Sequence, residues 1–345
     1  TTEKPVIKPL EETNPMLKNS LLLPAMAAAA LAWSVPAQAG STIKVSTCQI
    51  KTHDHVVVFL NEFLKPAQKN DIGLKLKFIG GPEITPFRKQ GGLLKRGLID
   101  LIFCPAPYYG ADLPEARLLG AHNKSLAEMR KNGATKMLEE AWNKGLNAHI
   151  LAYPAYDVST FYMYTIAKPK LSKTTGLALK GVKMRSTGLY KPLLSAMSAT
   201  PIAISPGDVY TGLQRGVVDG IAWPKGSVTK YGWEKFLKYK ITPNFYGATF
   251  LTIINKEKWA SLTQAERDFL TKISKQYEVR SNEVVAKNLA ADEAKLAKAG
   301  VKNIALEGEY AKAYLKTIYG VKWAVNDKYT NYNVDYKKLK SLLYE

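Results

Sequence analysis

The side chains that do most enzyme chemistry are scarce in this chain, which has four histidines and two cysteines in 345 residues. His53 and His55 form an H-x-H pair at a predicted helix start, a spacing that can begin a metal site. No Cys or carboxylate partner is identifiable beside them, so neither a metal nor a cofactor is expected. Cys48 and Cys104 stand near the ends of two predicted strands, IKVSTCQI and DLIFCPAP. In an oxidising compartment they could pair, and the sequence leaves that open. Asp100, Asp208 and Asp219 occupy strand or helix contexts with nothing to pair them as acid and base. H-E-x-x-H, G-x-S-x-G, G-x-x-x-x-G-K and G-x-G-x-x-G are all absent. The chain does not read as an enzyme.

What remains is charge and aromatic surface. Lys and Arg number 49 against 29 Asp and Glu, a formal net charge of +20. Nucleic-acid binders concentrate such charge in a stripe or tail with aromatics interleaved. Here lysines recur singly or in pairs from Lys44 to Lys340, and the densest run, YKKLKSLLYE, is short and amphipathic. A nucleic-acid partner is therefore not expected, although a polyanion-binding protein is retained as an alternative. A diffuse positive field also raises the encounter rate of small anions.

The segment from Met16, MLKNSLLLPAMAAAALAWSVPAQA, has a basic start, an apolar stretch and Ala37-Gln38-Ala39, the pattern of an export signal cleaved before Gly40. Residues 1–15 read as an upstream segment and 16–39 as the signal peptide. Removing residues 1–39 takes away three lysines and three glutamates, so the net charge of +20 belongs to the mature chain.

Strand and helix patterns alternate through the mature chain. Ser41 to Ile50, LKLKFIGG and Ile99 to Cys104 read as strands with helices between, which favours a parallel sheet covered on both faces. Ligands of such sheets sit beyond the carboxyl ends of the strands. That rule makes Glu83, Phe103 and Tyr108 candidate ligand contacts. A helical stretch around Ser125 to Lys144 precedes the strand NAHILAYPA, and VSTFYMYTIA, carrying Tyr162 and Tyr164, is suited to cross between two lobes. LKGVKMRSTG, TPIAIS and VVDGIAWP form a second strand-helix unit, and GATFLTIINKEKW reads as a strand returning to the first. Thr263 to Lys298 then runs about 36 residues without Gly or Pro. As one helix it would reach roughly 54 Å, a spine across both lobes.

The stretch LKGVKMRSTG…TPIAISPGDVYTGLQRGVVDGIAWP, followed by TIINKEKWASLTQAERDFL and preceded by the GGPE turn, resembles the extracytoplasmic solute-binding proteins of TRAP transporters. The resemblance covers nearly all of the mature chain. It implies a two-lobed α/β periplasmic-binding-protein fold with parallel-type central sheets, hinge strands and a spine helix. It assigns lobe I to residues 40–161 plus about 251–285, and lobe II with the C-terminal helices to 162–250 plus about 286–345. It also implies that Arg185, on the KGxKxR strand, grips a substrate carboxylate. A guanidinium suits that role because its planar fork meets both oxygens with charge-assisted hydrogen bonds.

Two departures bear on the substrate. Trp223 stands where many sialic-acid and dicarboxylate binders of the family carry Asn, which resembles the branches that cap an apolar substrate tail. Those branches often place Glu before the Trp and bind a metal, but here the residue is Ala222, so no metal is expected beside the ligand. The reading is a periplasmic protein that captures a small monocarboxylate with an apolar, keto or aromatic body. It would contact Arg185, Trp223, Tyr162, Tyr164, Phe103, Tyr108 and Glu83, and hand its cargo to TRAP permease subunits. A ligand-presenting sensor would share the same fold and site.

Overall fold

A computed structural model describes residues 40–344, apart from positions 225 and 227. Residues 1–39, expected from the sequence to hold an upstream segment and an export signal, lie outside the described residues. β1 (Thr42–Thr47) buries Ile43 and Val45 on one face, and Asp54–Phe59 follows as α1. Its cap is His53, whose ring accepts the N–H of His55. α1 passes through a π-helical turn at Leu60–Leu64 into α2 (Lys65–Gln68), where Pro66 has no N–H to continue the ladder. β2 (Lys75–Gly80), α3 (Phe87–Lys95) and β3 (Leu101–Pro105) complete a parallel β-α-β-α-β unit, with Val45 in register with both Phe78 and Leu101.

The single helix expected around Ser125 to Lys144 is two, α4 (Leu126–Asn132) and α5 (Ala134–Leu146). Gly133 at φ 89° takes the left-handed conformation that ends the first. β4 (Ala148–Ala152) then forms the far edge of the first sheet, and β5 (Thr160–Thr165) opens the second. A hairpin of β6 (Lys170–Ser172) and β7 (Gly176–Ala178) leads to β8 (Lys183–Ser186), α6 (Lys191–Ala196), β9 (Thr200–Ala203), α7 (Val209–Gln214) and β10 (Gly220–Pro224). β11 (Tyr239–Gly247) runs antiparallel to β5, and β12 (Phe250–Asn255) returns to the first sheet between β3 and β4. After α8 (Lys256–Ser261) come α9 (Gln264–Lys298), β13 (Lys302–Ala305), α10 (Gly308–Asn326) and α11 (Tyr336–Tyr344).

The sheet orders are β2-β1-β3-β12-β4 and β13-β11-β5-β10-β8-β9. Strand alternation gives each sheet two apolar faces. In the first, Leu101 and Phe103 face one core while Ile102 and Cys104 face the other; in the second, Phe161 and Met163 oppose Tyr162 and Tyr164. This is the expected two-lobed α/β architecture.

α9 is the expected spine. A capping box between Thr263 and Glu266 starts it, and the Glu266 carboxylate also takes the Ser41 N–H at 2.8 Å. Leu270, Tyr277 and Leu289 enter a core of the first sheet, and Leu296 enters one of the second. Between them, Glu278 accepts from Arg130 and from the Tyr153 N–H, and Glu293 pairs with Lys240 at 2.6 Å. α10 also spans both units: Tyr314 and Ile318 pack in the second and Trp323 in the first. α11 then adds Leu339 and Leu343 to the first. The apolar residues of α10 thus divide between the two cores, and those of α11 enter the first.

Candidate ligand-binding site

Arg185 is one of the four residues of β8, and only 5 % of its surface is exposed. The parallel register sets it beside Ile221 of β10, on the sheet face that also carries Trp223. Trp223 stands opposite Tyr162 on β5. The guanidinium lies 5.0 Å from the centre of the Trp223 ring. Its Nε donates to the carbonyl of Ile204 at 3.2 Å, and Nη1 donates to the Tyr190 hydroxyl. That hydroxyl in turn donates to the Ala222 carbonyl at 2.9 Å. Among the described residues no carboxylate pairs with Arg185. A buried cation held only by neutral acceptors is the arrangement that an arriving anion completes.

Aromatic rings flank this cation. Trp223 meets Trp233 edge-on at 4.9 Å and Tyr231 at 5.8 Å, while Tyr231 stacks on Trp233 at 4.5 Å. Tyr108, just beyond β3, receives a hydrogen bond from Gln49 at 2.8 Å and leans on Phe87. Burial raises the Tyr108 phenol, and the field of Arg185 is among the influences opposing it, as it is for Tyr231. Tyr108 from the first lobe thus belongs to the same electrostatic neighbourhood as Arg185, Tyr190 and Tyr231 from the second.

Three candidates go elsewhere. Phe103 is 1 % exposed and stacks between Phe59 and Phe250, and Tyr164 is wholly buried in the core under Ile221 and Trp233. Both are interior packing: the carboxyl-end rule located the strand of Phe103 but not the direction of its side chain, and Tyr164, opposite Ile221, shares the sheet face of Arg185 but is covered there by its neighbours. Glu83 is exposed and closes its own turn, accepting the Gly81 N–H at 2.8 Å, and these backbone bonds hold its carboxyl below the usual range. Tyr162 is half-buried beneath the Lys240 ammonium, 4.8 Å from its ring centre.

The histidine pair lies beside the site, and among the described residues no three His, Cys, Asp or Glu side chains converge as ligands. His55 stacks on Phe250 at 4.3 Å and its Nε2 is 3.4 Å from the Ser159 hydroxyl. Burial pushes His53 down to about 4, helped by Lys230, and His55 down to about 3, helped by His53. A cavity of about 160 Å³ runs from this pair past Asp54, Trp223 and Lys230 to Asp292 on α9, and Lys230 pairs with Asp54 across it. A more open depression of about 350 Å³, between Lys230 and Lys298, touches none of the predicted contacts. Cys48 and Cys104, left open by the sequence, are joined by a disulfide at the ends of β1 and β3.

Residues 121–319 match the model of bacterial extracellular solute-binding proteins, family 7. The chain belongs to this family. As a family 7 solute-binding protein it captures and releases a molecule without altering its bonds. Its fold is similar to solved TRAP periplasmic solute-binding proteins. One from Ochrobactrum anthropi, with its C-terminus bound in the ligand-binding pocket, is 17 % identical at a TM-score of 0.73, over 88 % of this chain and 93 % of that one. One from Haemophilus influenzae with bound L-gulonate is 17 % identical at 0.69, over 88 % and 97 %. A third, from Desulfovibrio salexigens with bound orotic acid, is 17 % identical at 0.68, over 83 % and 92 %.

In this family 7 protein the structure gathers around Arg185 two residues that the sequence named, Trp223 and Tyr108, and three that it did not, Tyr190, Tyr231 and Gln49. Gln49 follows Cys48 at the carboxyl end of β1, where the strand-end rule would have found it. Tyr190 and Tyr231 sit in connections, and no spacing marks them.

Proposed function

We propose that this protein binds a small organic acid between its lobes, with the carboxylate on Arg185, and delivers it in the periplasm to a TRAP permease in the membrane. The observation that carries the reading is the buried guanidinium of Arg185, aligned by Ile204 and Tyr190 and facing no acid among the described residues. Trp223, Tyr231 and Tyr108 supply ring surface beside it, which favours a monocarboxylate with a planar or apolar body. The sugar acid and orotic acid held by the similar proteins are acids of the same size class.

The lobes would part at the 153–159 and 247–250 passages, which share the bond from the Ala248 N–H to the Ser159 carbonyl. Binding stabilises the closed form because only closure brings Tyr108 and Gln49 to a ligand seated on Arg185. The Asp54–Lys230 pair adds an ionic contact across the closed cleft.

The test is thermal unfolding of ligand-stripped protein against aromatic, keto, aliphatic, sugar and dicarboxylic acids, with Arg185→Ala alongside. At a hundredfold excess over Kd the true ligand adds about 2.7 kcal/mol, a shift of several degrees. The expected result is a shift from planar or apolar monocarboxylates that Arg185→Ala abolishes. A response confined to sugar acids overturns the apolar body, and an equal response in Arg185→Ala overturns carboxylate capture.

A further inference from the structure

A second set of cations lies away from Arg185. Lys322 and Asn326 stand one turn apart on α10 and are 6 % and 1 % exposed. The Lys322 ammonium rests 5.0 Å from the centre of the Tyr246 ring, and among the described residues it has neither an acid partner nor a hydrogen bond. Both polar atoms of the Asn326 side chain are buried without a partner. Arg117, in the 3₁₀ turn Pro114–Gly120 that packs against α10, stacks 4.0 Å over Tyr329, and its Nη1 is likewise buried and unpartnered.

The two cations sense each other: burial and the charge of Arg117 push the Lys322 ammonium down to about 8. The surrounding acids are engaged. Glu115, fully buried in the same turn, accepts the N–H groups of Asn333 and Val334 and the Asn333 side chain, while Asp327 holds Tyr336 and Lys340. His122, pushed down to about 4 by burial, is neutral. Counting Arg117 and Lys322 against Glu115 leaves one positive charge unbalanced. Every free group except the Asn326 carbonyl is an N–H donor.

We propose that Arg117, Lys322 and Asn326 form a site for one small monovalent anion of halide type, held between α10 and the Pro114–Gly120 turn. A halide accepts several N–H donors without the directional demands of a carboxylate, and its charge balances the surplus. The place gives the site a use. A Cβ on Gly120 would come within 3.6 Å of the Lys322 Nζ and 3.8 Å of the Gly247 carbonyl, so the ammonium lies beside the passage from β11 to β12. An anion there reinforces the hold of α10 on the first lobe, where Trp323 already packs while Tyr314 and Ile318 root the helix in the second core. The site does not depend on what Arg185 binds.

Chloride NMR linewidth at neutral pH tests this with wild type, Arg185→Ala, Lys322→Met and Asn326→Asp. The last places a carboxylate next to Lys322 and so supplies the charge internally. The expected result is protein-dependent broadening that bromide competes away, retained in Arg185→Ala and lost in both Lys322→Met and Asn326→Asp. A chloride-dependent rise in melting temperature at constant ionic strength follows the same pattern. Should Lys322→Met fail to fold, Asn326→Asp alone decides. No broadening in wild type, or equal broadening in the folded variants, overturns the site and leaves these groups to water.

Discussion

Arg185 and Trp223 sit on neighbouring strands with the guanidinium 5.0 Å from the indole centre, so the ring forms one wall against a cation that no carboxylate among the described residues neutralises. The ring's negative face lowers the cost of holding that cation without hydrating it. Trp223 is itself braced edge-on by Trp233 and Tyr231. The cation and the surface that would meet the body of an acid are thus fixed by the same ring.

Trp223→Leu should therefore weaken acid binding more than lost area alone, because a cation–π contact of about 0.5–2 kcal/mol goes with it. That corresponds to roughly a 2- to 30-fold rise in Kd by calorimetry. Trp223→Phe keeps a ring face and should recover most of the loss. Equal loss in both variants would show that ring area, not the cation, sets the contribution.

Tyr190 is a positioning residue, since its hydroxyl accepts from Arg185 and donates to the Ala222 carbonyl. Tyr190→Phe removes both bonds and leaves a buried carbonyl unsatisfied, costing about 1–3 kcal/mol of stability in urea unfolding. The readout that separates positioning from bulk stability is affinity: acid binding should fall by about tenfold while the melting shift at saturating ligand persists. Unchanged affinity would mean that the Ile204 carbonyl alone aligns the guanidinium.

These relationships differ in how far the sequence revealed them. The spine was legible because Leu270, Ile273, Tyr277, Val285 and Leu289 recur at helical spacing without a Gly or Pro between them. The break at Gly133 was not, because a lone glycine is tolerated inside helices and only its left-handed φ ends this one. Phe103 shows the limit of the strand-end rule. It places residues at the correct end of the sheet, but the pleat decides whether a side chain faces the cleft or the core. Tyr190 illustrates a different limit, since its contact with Arg185 depends on how the connection after β8 turns back before α6.

The Cys48–Cys104 disulfide closes a sequence separation of 56 residues at the carboxyl ends of β1 and β3, next to Gln49 and four residues before Tyr108. Chain-entropy reasoning puts its contribution near 4 kcal/mol. The Cys48→Ala/Cys104→Ala double variant should lose up to that amount in urea unfolding, and its acid affinity should fall by a few-fold as the Gln49–Tyr108 pair loosens. A loss below about 1 kcal/mol would mean that the reduced, unfolded chain is already compact in this region.

Three histidines, His55 buried and His53 and His122 half-buried, should set the acid limit of the fold. Burial is the leading cause in each: His53 is pushed to about 4 with help from Lys230, His55 to about 3 with help from His53, and His122 to about 4 against an opposing bond to the Lys124 carbonyl. Around them lie Phe250, Ser159, Tyr156 and Thr249, together with the Asp54–Lys230 pair at the start of α1. All three folded values lie below the unfolded value of 6.5, so the unfolded chain binds more protons as pH falls. Their contribution is fully present above about pH 6.5 and is lost progressively as pH falls toward 4. The carboxylates of Glu83, Glu266 and Asp327 are depressed, so their contribution is lost only at lower pH, as it falls through their folded values. The interval from about pH 6 to 5 therefore isolates the histidines, with an upper limit near 4 kcal/mol per pH unit for the three together. Urea unfolding across that interval should show stability falling steeply, with the slope reduced by about a third in His122→Gln. A flat profile down to about pH 5 would show that the folded protein takes up these protons, either by opening the cleft around His53 and His55 or by hydrating His122.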